Sequence, residues 1–246
     1  MSAALQIAHL HKSFGGLPAT SDICLEVAQG ERRLIIGPNG AGKTTLFNQI
    51  TGDILPDAGS IHAFGEDVTR MRPDQRAQRG IARTYQIITL FNRDTLEHNV
   101  LLALVGLSRC RWNVWSRLRR YSHLYAEARA VLARVQLEHL AQRRIGEISY
   151  GEKRRVEIAM ALAQKPRILL LDEPLAGLSR EERASVKGLI AGIPRDVTVV
   201  MIEHDMDTAL ELAERVTVLH YGKLIVDGSR ADVVADARTR EVYLGH

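Results

Sequence analysis

Gly37-Pro38-Asn39-Gly40-Ala41-Gly42-Lys43-Thr44 is the stretch from which the rest of the chain is read. It satisfies G-x-x-x-x-G-K-[ST], the pattern of a phosphate-binding loop, or P-loop. The pattern carries that chemistry only between a strand and a helix, and both flanks are present. Leu34-Ile35-Ile36 reads as a short buried strand, and Thr45-Leu46-Phe47-Asn48-Gln49-Ile50 as the start of a helix. Gly37, Gly40 and Gly42 let the backbone turn tightly and bring its N–H groups close to an anion. The positive end of the following helix faces the same point. Lys43 would reach the β- and γ-phosphates of a nucleotide, and the Thr44 hydroxyl would ligate Mg²⁺. A chance glycine-rich turn ending in Lys-Thr is the plain alternative. At ordinary glycine usage the four fixed positions recur in about one chain in a hundred of this length.

Composition is that of a globular chain: 246 residues, 46% hydrophobic, 25% charged, net charge +4. The length suits one large domain, or a domain with a subdomain. The mild basic excess selects no partner. Cys24 and Cys110 stand far apart in no metal-like spacing, so a disulfide scaffold is not expected and a reducing compartment is. The first residues lack the basic and apolar regions of a signal peptide. The longest apolar run, Val100 to Leu107, falls short of the roughly 20 residues a membrane span needs. The chain is therefore expected not to cross a bilayer by itself.

Along the chain, Leu5, Ile7 and Leu10, then Ile23, Leu25 and Val27, mark two strands, with Lys12-Ser13-Phe14-Gly15-Gly16 connecting them. Phe14 has two readings of equal standing: a platform for an adenine ring, or an apolar plug at a strand end. Ser60 to Gly65 and Ile81 to Gln86 read as further short strands around a polar helix at 73–80. Helical spacing covers Asn99–Leu107 and Tyr125–Leu140. Between them Arg109, Arg111, Arg117, Arg119 and Arg120 interleave with Trp112, Trp115 and Tyr121. A surface for nucleic acid or lipid headgroups is one reading. The favoured one is a solvated helix face with aromatics packed beneath, and no nucleic-acid partner is expected.

Ser149 with Glu152, and Ser179 with Glu182, are capping boxes that open helices at about 153–164 and up to about Ile193. Ile168-Leu169-Leu170-Leu171 is apolar at every residue, as in a parallel strand covered on both faces. It ends in Asp172-Glu173, at the sheet edge where open α/β proteins hold ligands. Asp172 is thus a candidate Mg²⁺ partner and Glu173 a candidate base for a water. Val197 to Ile202 is a second such strand, and it brings His204 to the same edge as a candidate γ-phosphate contact. Asp205 or Asp207 is the expected cap of a helix running through Ala213. Val216–Leu219 and Leu224–Val226 flank Tyr221-Gly222 as a hairpin. No internal repeat is present.

Taken together, these stretches resemble the nucleotide-binding subunit of ATP-binding cassette (ABC) transporters over essentially the whole chain. Ser149-Tyr150-Gly151-Glu152 is similar to the family's Leu-Ser-Gly-Gly-Gln signature, with Tyr150 in place of the first glycine and Glu152 in place of the glutamine. Within the family the resemblance is to the ATP-binding subunit of high-affinity branched-chain amino acid importers. It is carried by Phe14-Gly15-Gly16-Leu17, Ala82-Arg83-Thr84-Tyr85-Gln86, Tyr150-Gly151-Glu152-Lys153-Arg154-Arg155, Glu203-His204-Asp205-Met206 and Tyr243-Leu244-Gly245. ATPases for urea or amides, and the lipopolysaccharide-export ATPase, look similar.

The resemblance implies an α/β fold of the P-loop NTPase class: a RecA-like mixed sheet with flanking helices, an antiparallel β-subdomain, and a helical subdomain inserted at about 87–163 of one domain spanning 1–246. It implies ATP and Mg²⁺ as ligands. Residues 37 to 45 (Gly37, Pro38, Asn39, Gly40, Ala41, Gly42, Lys43, Thr44 and Thr45), Phe14, Ser149 and Gly151 would contact nucleotide. Thr44, Gln86 and Asp172 would serve the metal; Glu173, His204 and Gln86 would serve catalysis. Two cassettes would bind two ATP at a shared interface, the P-loop of one facing the signature of the other, with Ala176-Gly177-Leu178-Ser179 as a dimer contact. The partners implied are a second cassette, two membrane permeases and, indirectly, a solute-binding protein, at the cytoplasmic face of the inner membrane. Competing expectations are lipopolysaccharide export, a soluble ABC ATPase without transport, and a cassette that binds ATP without turnover.

Overall fold

The computed structural model describes residues 2–112, 121–203 and 210–244. The backbone divides into two compact units. One takes in Met1–Arg83, Arg167–Pro174 and Ile193–His246; the other takes in Thr84–Pro166 and Leu175–Gly192.

In the first unit, β1 (Ala3–Phe14) and β2 (Leu17–Ala28) form a long antiparallel hairpin. Lys12, Ser13 and Phe14 belong to β1, so the expected five-residue connection shrinks to Gly15-Gly16. Phe14 stands 48% exposed at the hairpin end with Lys12 Nζ 5.6 Å above its ring. The ring is thus half-exposed at the strand end. β4 (Ala58–Ala63) and β5 (Glu66–Asp67) complete a four-stranded antiparallel sheet in the order β2-β1-β4-β5.

The second sheet of this unit contains β3 (Arg32–Ile36), β6 (Ile81–Arg83), β7 (Ile168–Asp172), β8 (Thr198–Ile202), β9 (Arg215–His220) and β10 (Lys223–Ser229). Its order is β10-β9-β3-β8-β7-β6, parallel throughout except for the β9–β10 hairpin. Every residue of β3, β7 and β8 is buried. Each such Leu or Ile contributes about 1.5–3 kcal/mol on leaving water. Parallel register sets Ile35 and Asp172 each opposite Ile202. The carboxyl ends of β3, β7 and β8 therefore share one edge. β3 begins two residues earlier than its apolar run suggests, with two buried arginines. Arg33 is admitted because Glu31, Asp227 and the Glu26 carbonyl all accept from its guanidinium.

α1 (Lys43–Thr51) follows β3, and α2 (Pro73–Gln78) precedes β6. Arg76 of α2 is fully buried against the end of α1. Its Nη1 donates to the carbonyls of Gln49 (2.5 Å) and Ile50 (2.8 Å), its Nη2 to Thr69 (2.8 Å) and its Nε to Met71 (2.9 Å). A helix leaves its last carbonyls without intrahelical partners, and a cation there also meets the negative end of the dipole. Burial lowers the Arg76 pKa to about 10, so the group stays charged at neutral pH. The strand expected over Ile81–Gln86 ends at Arg83, and the helix expected through Ala213 has its last described helical residue at Leu210, followed by a turn at Glu211-Leu212.

The second unit is helical: α3 (Leu96–Leu107), a short 3-10 turn at Arg109–Trp112, α4 (Ser122–Arg134), α5 (Tyr150–Ala163) and α6 (Arg180–Ala191). Thr95 caps α3 by accepting from the His98 amide at 3.1 Å. The single helix expected over Tyr125–Leu140 is two pieces. Gln136 takes a positive φ of 59°, and the Leu137 amide turns back to the Leu132 carbonyl at 2.9 Å. That closure lets Leu137 be fully buried, and a separate 3-10 turn follows at Glu138–Leu140. Trp112 is 78% exposed beside Arg111 instead of packed beneath a helix, which corrects the expectation for that residue. Trp115, Arg117, Arg119 and Arg120 lie outside the described residues. No helix among the described residues is long and apolar enough to cross a membrane.

Replacing Arg76 removes four bonds to backbone carbonyls, three of them buried. Arg76→Ala is expected to lower stability by about 3 kcal/mol, since each unsatisfied buried carbonyl costs about 1–3 kcal/mol. Chemical denaturation reads this directly, and an unchanged midpoint would refute it.

Candidate functional site

The loop after β3 is shaped by two backbone carbonyls. A Cβ on Gly37 would stand 2.2 Å from the Leu219 oxygen, and one on Gly42 would stand 2.2 Å from the Ala19 oxygen. Gly42 also holds φ at 99° as the N-cap of α1 and makes no side-chain cap. Only glycine combines that backbone with that approach. The first-turn amides of α1 are left to a ligand, the arrangement that draws anions.

Lys43 opens α1 and is only 7% exposed. Its Nζ donates to the carbonyls of Gly37 (2.6 Å) and Pro38 (3.0 Å). Burial pushes its pKa down, and the charges of Glu173 and Asp172 pull it back up. The ammonium therefore sits in the field of both acids at the end of β7. Thr44 is exposed on the first turn of α1, with Thr45 beside it.

Asp172, 2% exposed, ends β7, and its Oδ2 accepts from Arg83 Nη2 at 2.7 Å. Arg83 also donates from Nη1 to Asn48 Oδ1 (2.5 Å) and lies over the Phe47 ring. One guanidinium thus ties the acid to α1. Glu173 is half-buried at a positive φ of 47°, and its amide donates to the Ile202 carbonyl at 3.0 Å. A non-glycine residue there costs about 1–3 kcal/mol, and such strain clusters at functional sites. The Thr44 hydroxyl and the Asp172 carboxylate are hard oxygen donors, the chemistry that Mg²⁺ takes. Glu203 is buried at the end of β8, while His204 lies outside the described residues.

Gln86, Ser149 and Gly151 belong to the helical unit. Ser149 caps α5: its Oγ accepts from the Glu152 amide (3.2 Å), and Glu152 Oε2 accepts from the Ser149 amide (2.7 Å). The Gly151 amide donates to Glu182 Oε1 at 2.9 Å, while Ser179 donates its own amide to Glu182 Oε2 at 3.0 Å. These bonds, Ser179 first, hold the Glu182 pKa below the usual carboxylate range. The Tyr150 ring packs against Gly177. Gln86 is exposed, and its backbone is gripped by α5. Buried Arg154 donates to the carbonyls of Tyr85 (3.1 Å) and Gln86 (3.4 Å), and Glu157 accepts from the Tyr85 amide (2.9 Å).

The structure therefore gathers Gly37, Lys43, Asp172 and Glu173 in one unit, and Gln86, Ser149 and Gly151 in the other. Sequence reasoning quoted Arg83 and Arg154 inside matching stretches and gave neither a role. The available signal was an arginine leaving an apolar strand, and an Arg154–Glu157 pair spaced to share a helix face.

A glycine-shaped anion loop on a buried parallel strand, with acids at the end of β7 two strands along the same edge, defines a P-loop ATPase. The family model described as "ABC transporter" matches residues 20–176. The high-affinity branched-chain amino acid transport ATP-binding protein BraF of Pseudomonas aeruginosa is 36% identical over 252 residues, covering 98% of this chain and 97% of its own. The lipopolysaccharide export system ATP-binding protein LptB of Acidithiobacillus ferridurans is 35% identical over 246 residues, covering 100% and 98%. The crystal structure of the ADP conformation of MJ1267, an ATP-binding cassette of an ABC transporter, superposes with a TM-score of 0.90 at 29% identity, covering all of both chains. The chain belongs to the ABC transporter family, as an ATP-binding, ATP-hydrolysing cassette subunit.

Arg83→Met keeps much of the bulk but leaves the Asp172 carboxylate without this cation. ATPase activity is expected to fall by tenfold or more, about 1.4 kcal/mol of transition-state stabilisation. Steady-state phosphate release tests it, and wild-type turnover would contradict it.

Proposed function

We propose that this cassette energises solute import, of branched-chain amino acids or related polar solutes, through separate membrane permeases. The observation that carries the catalytic part is the buried Lys43 bonded to the glycine-shaped loop after β3, on the sheet edge where β7 ends in Asp172. The Lys43 ammonium and the loop amides bind the β- and γ-phosphates. Thr44, Asp172 and Gln86 are the residues that would serve Mg²⁺. When bound, the ion neutralises charge on the phosphoryl oxygens. Glu173 takes a proton from the attacking water, His204 contacts the γ-phosphate, and the exposed Phe14 ring stacks on the adenine.

Two cassettes share the work in this reading. Ser149 and Gly151 of one contact the nucleotide held on the loop of the other. ATP closes the pair and hydrolysis opens it, and the helical unit passes the motion to permeases at the cytoplasmic membrane face. The near-full-length similarity to BraF and the Tyr150-Gly151 signature support the amino-acid reading. The comparable similarity to LptB supports a second one, lipopolysaccharide export.

Glu173→Gln is expected to bind ATP, to hydrolyse it at least about a hundredfold more slowly, and to persist as a dimer on size-exclusion chromatography with ATP. Normal turnover would remove Glu173 from the role of base. Purification of the tagged chain from native membranes in mild detergent separates the transport readings. Two different multi-span permeases with a second cassette support import; partners of an export machine support the alternative; ribosomal or DNA-repair partners contradict both.

A further inference from the structure

The solvent face of the β1–β2 hairpin carries a cluster that the ATPase reading leaves unused. His9 Nδ1, an Asp22 carboxylate oxygen and Cys24 Sγ lie within 4.8 Å of one another. Asp22 Oδ1 is 2.7 Å from His9 Nδ1, and Cys24 Sγ is 3.7 Å from the same nitrogen. His11 adds a second imidazole, its Nε2 3.9 Å from Asp22 Oδ1. These four side chains come from two strands, so no sequence spacing announces them.

The backbone is bent to make the cluster. Between the pairs Ile7↔Leu25 and Leu10↔Ile23, β1 carries Ala8 and His9 against Cys24 alone. This is a bulge, a device that re-aims side chains. Strict alternation would turn His9 inward; here Ala8 and His9 are both exposed while Leu10 is buried. His9 holds a positive φ of 49° and Asp22 one of 57°. The neighbouring strand makes room, since a Cβ on Gly59 would stand 2.2 Å from the His9 carbonyl oxygen. The His9 amide donates to Cys24 Sγ at 3.3 Å, the kind of outer bond that supports a ligating thiolate.

We propose that His9, His11, Asp22 and Cys24 form a site for a divalent cation of the Zn²⁺ class. Two imidazoles, a thiolate and a carboxylate are the donors that tetrahedral zinc accepts, at about 2.0–2.3 Å from the metal. Such bonds place ligand atoms roughly 3.3–3.8 Å apart, so the spacings among His9, Asp22 and Cys24 need adjustments of up to about an ångström, and His11, outside that group of three, must swing in as the fourth ligand. Imidazole and thiolate select against Mg²⁺ and Ca²⁺. Binding releases the thiol proton and any proton on the ligating nitrogens of His9 and His11 to solvent. The ion would staple β1 to β2, outside the nucleotide loop.

The test uses the untagged full chain, reduced, chelator-stripped and free of nucleotide, titrated with Co²⁺. The expected result is a thiolate-to-cobalt charge-transfer band with tetrahedral visible bands, saturating at one equivalent and displaced by Zn²⁺. Cys24→Ser should abolish the charge-transfer band, His9→Ala should weaken Co²⁺ binding about tenfold or more, and Cys110→Ser should change neither. Zn²⁺ should raise the melting temperature of the wild type and not of Cys24→Ser. No charge-transfer band, or one that survives Cys24→Ser, would overturn the assignment.

Discussion

The carbonyls of Ala19 and Leu219 press so closely on the loop after β3 that Gly37 and Gly42 admit no side chain. Much else in the first unit follows from that constraint. It brings the β1–β2 hairpin and the end of β9 against the loop, and it leaves the first turn of α1 uncapped by any side chain. A buried strand delivers the loop, and a buried helix leaves it. The far end of α1 is closed by Arg76. An anion site of this kind is rigid because its supports are backbone atoms, which have no rotamers to rearrange.

Charge organises what the backbone positions. Lys43, buried and bonded to two loop carbonyls, shares its surroundings with Asp172 and Glu173. Arg83 faces Asp172 from the neighbouring strand and reaches Asn48 on α1. The helical unit repeats the logic on another scale. Arg154 and Glu157 hold the Tyr85-Gln86 backbone, and Glu182 ties the Gly151 amide to the start of α6. Asp172 in one unit and the Tyr85-Gln86 backbone in the other are thus each held by a charged side chain.

Much of this was legible in the sequence because the decisive signals are local. The P-loop, the all-apolar strand ending in Asp172-Glu173 and the two serine capping boxes are each contained within a few residues. What escaped was set by contacts between segments far apart. Arg76 on the α1 carbonyls spans more than twenty residues, and the Arg83–Asp172 pair nearly ninety. No periodicity foretells either. The break at Gln136 is not legible because Val135 and Leu140 bracket it and read as one continuous apolar face; the burial of Leu137 after a left-handed turn decides otherwise. Phe14, left open between two readings, is exposed because β1 runs on to the hairpin end. The bulge at His9 is set by the pairing with β2, where Ala8 and His9 stand against Cys24 alone, and alternation along β1 does not announce it.

The central claim is that the glycine-shaped loop and its buried lysine bind nucleotide phosphates. Calorimetric titration of Lys43→Ala with ATP and Mg²⁺, beside the wild type, tests it most directly. Loss of a buried, charge-assisted contact predicts affinity lower by about ten- to a hundredfold, with the fold intact by circular dichroism. Unchanged affinity in a folded variant would contradict the assignment of this loop as the nucleotide site.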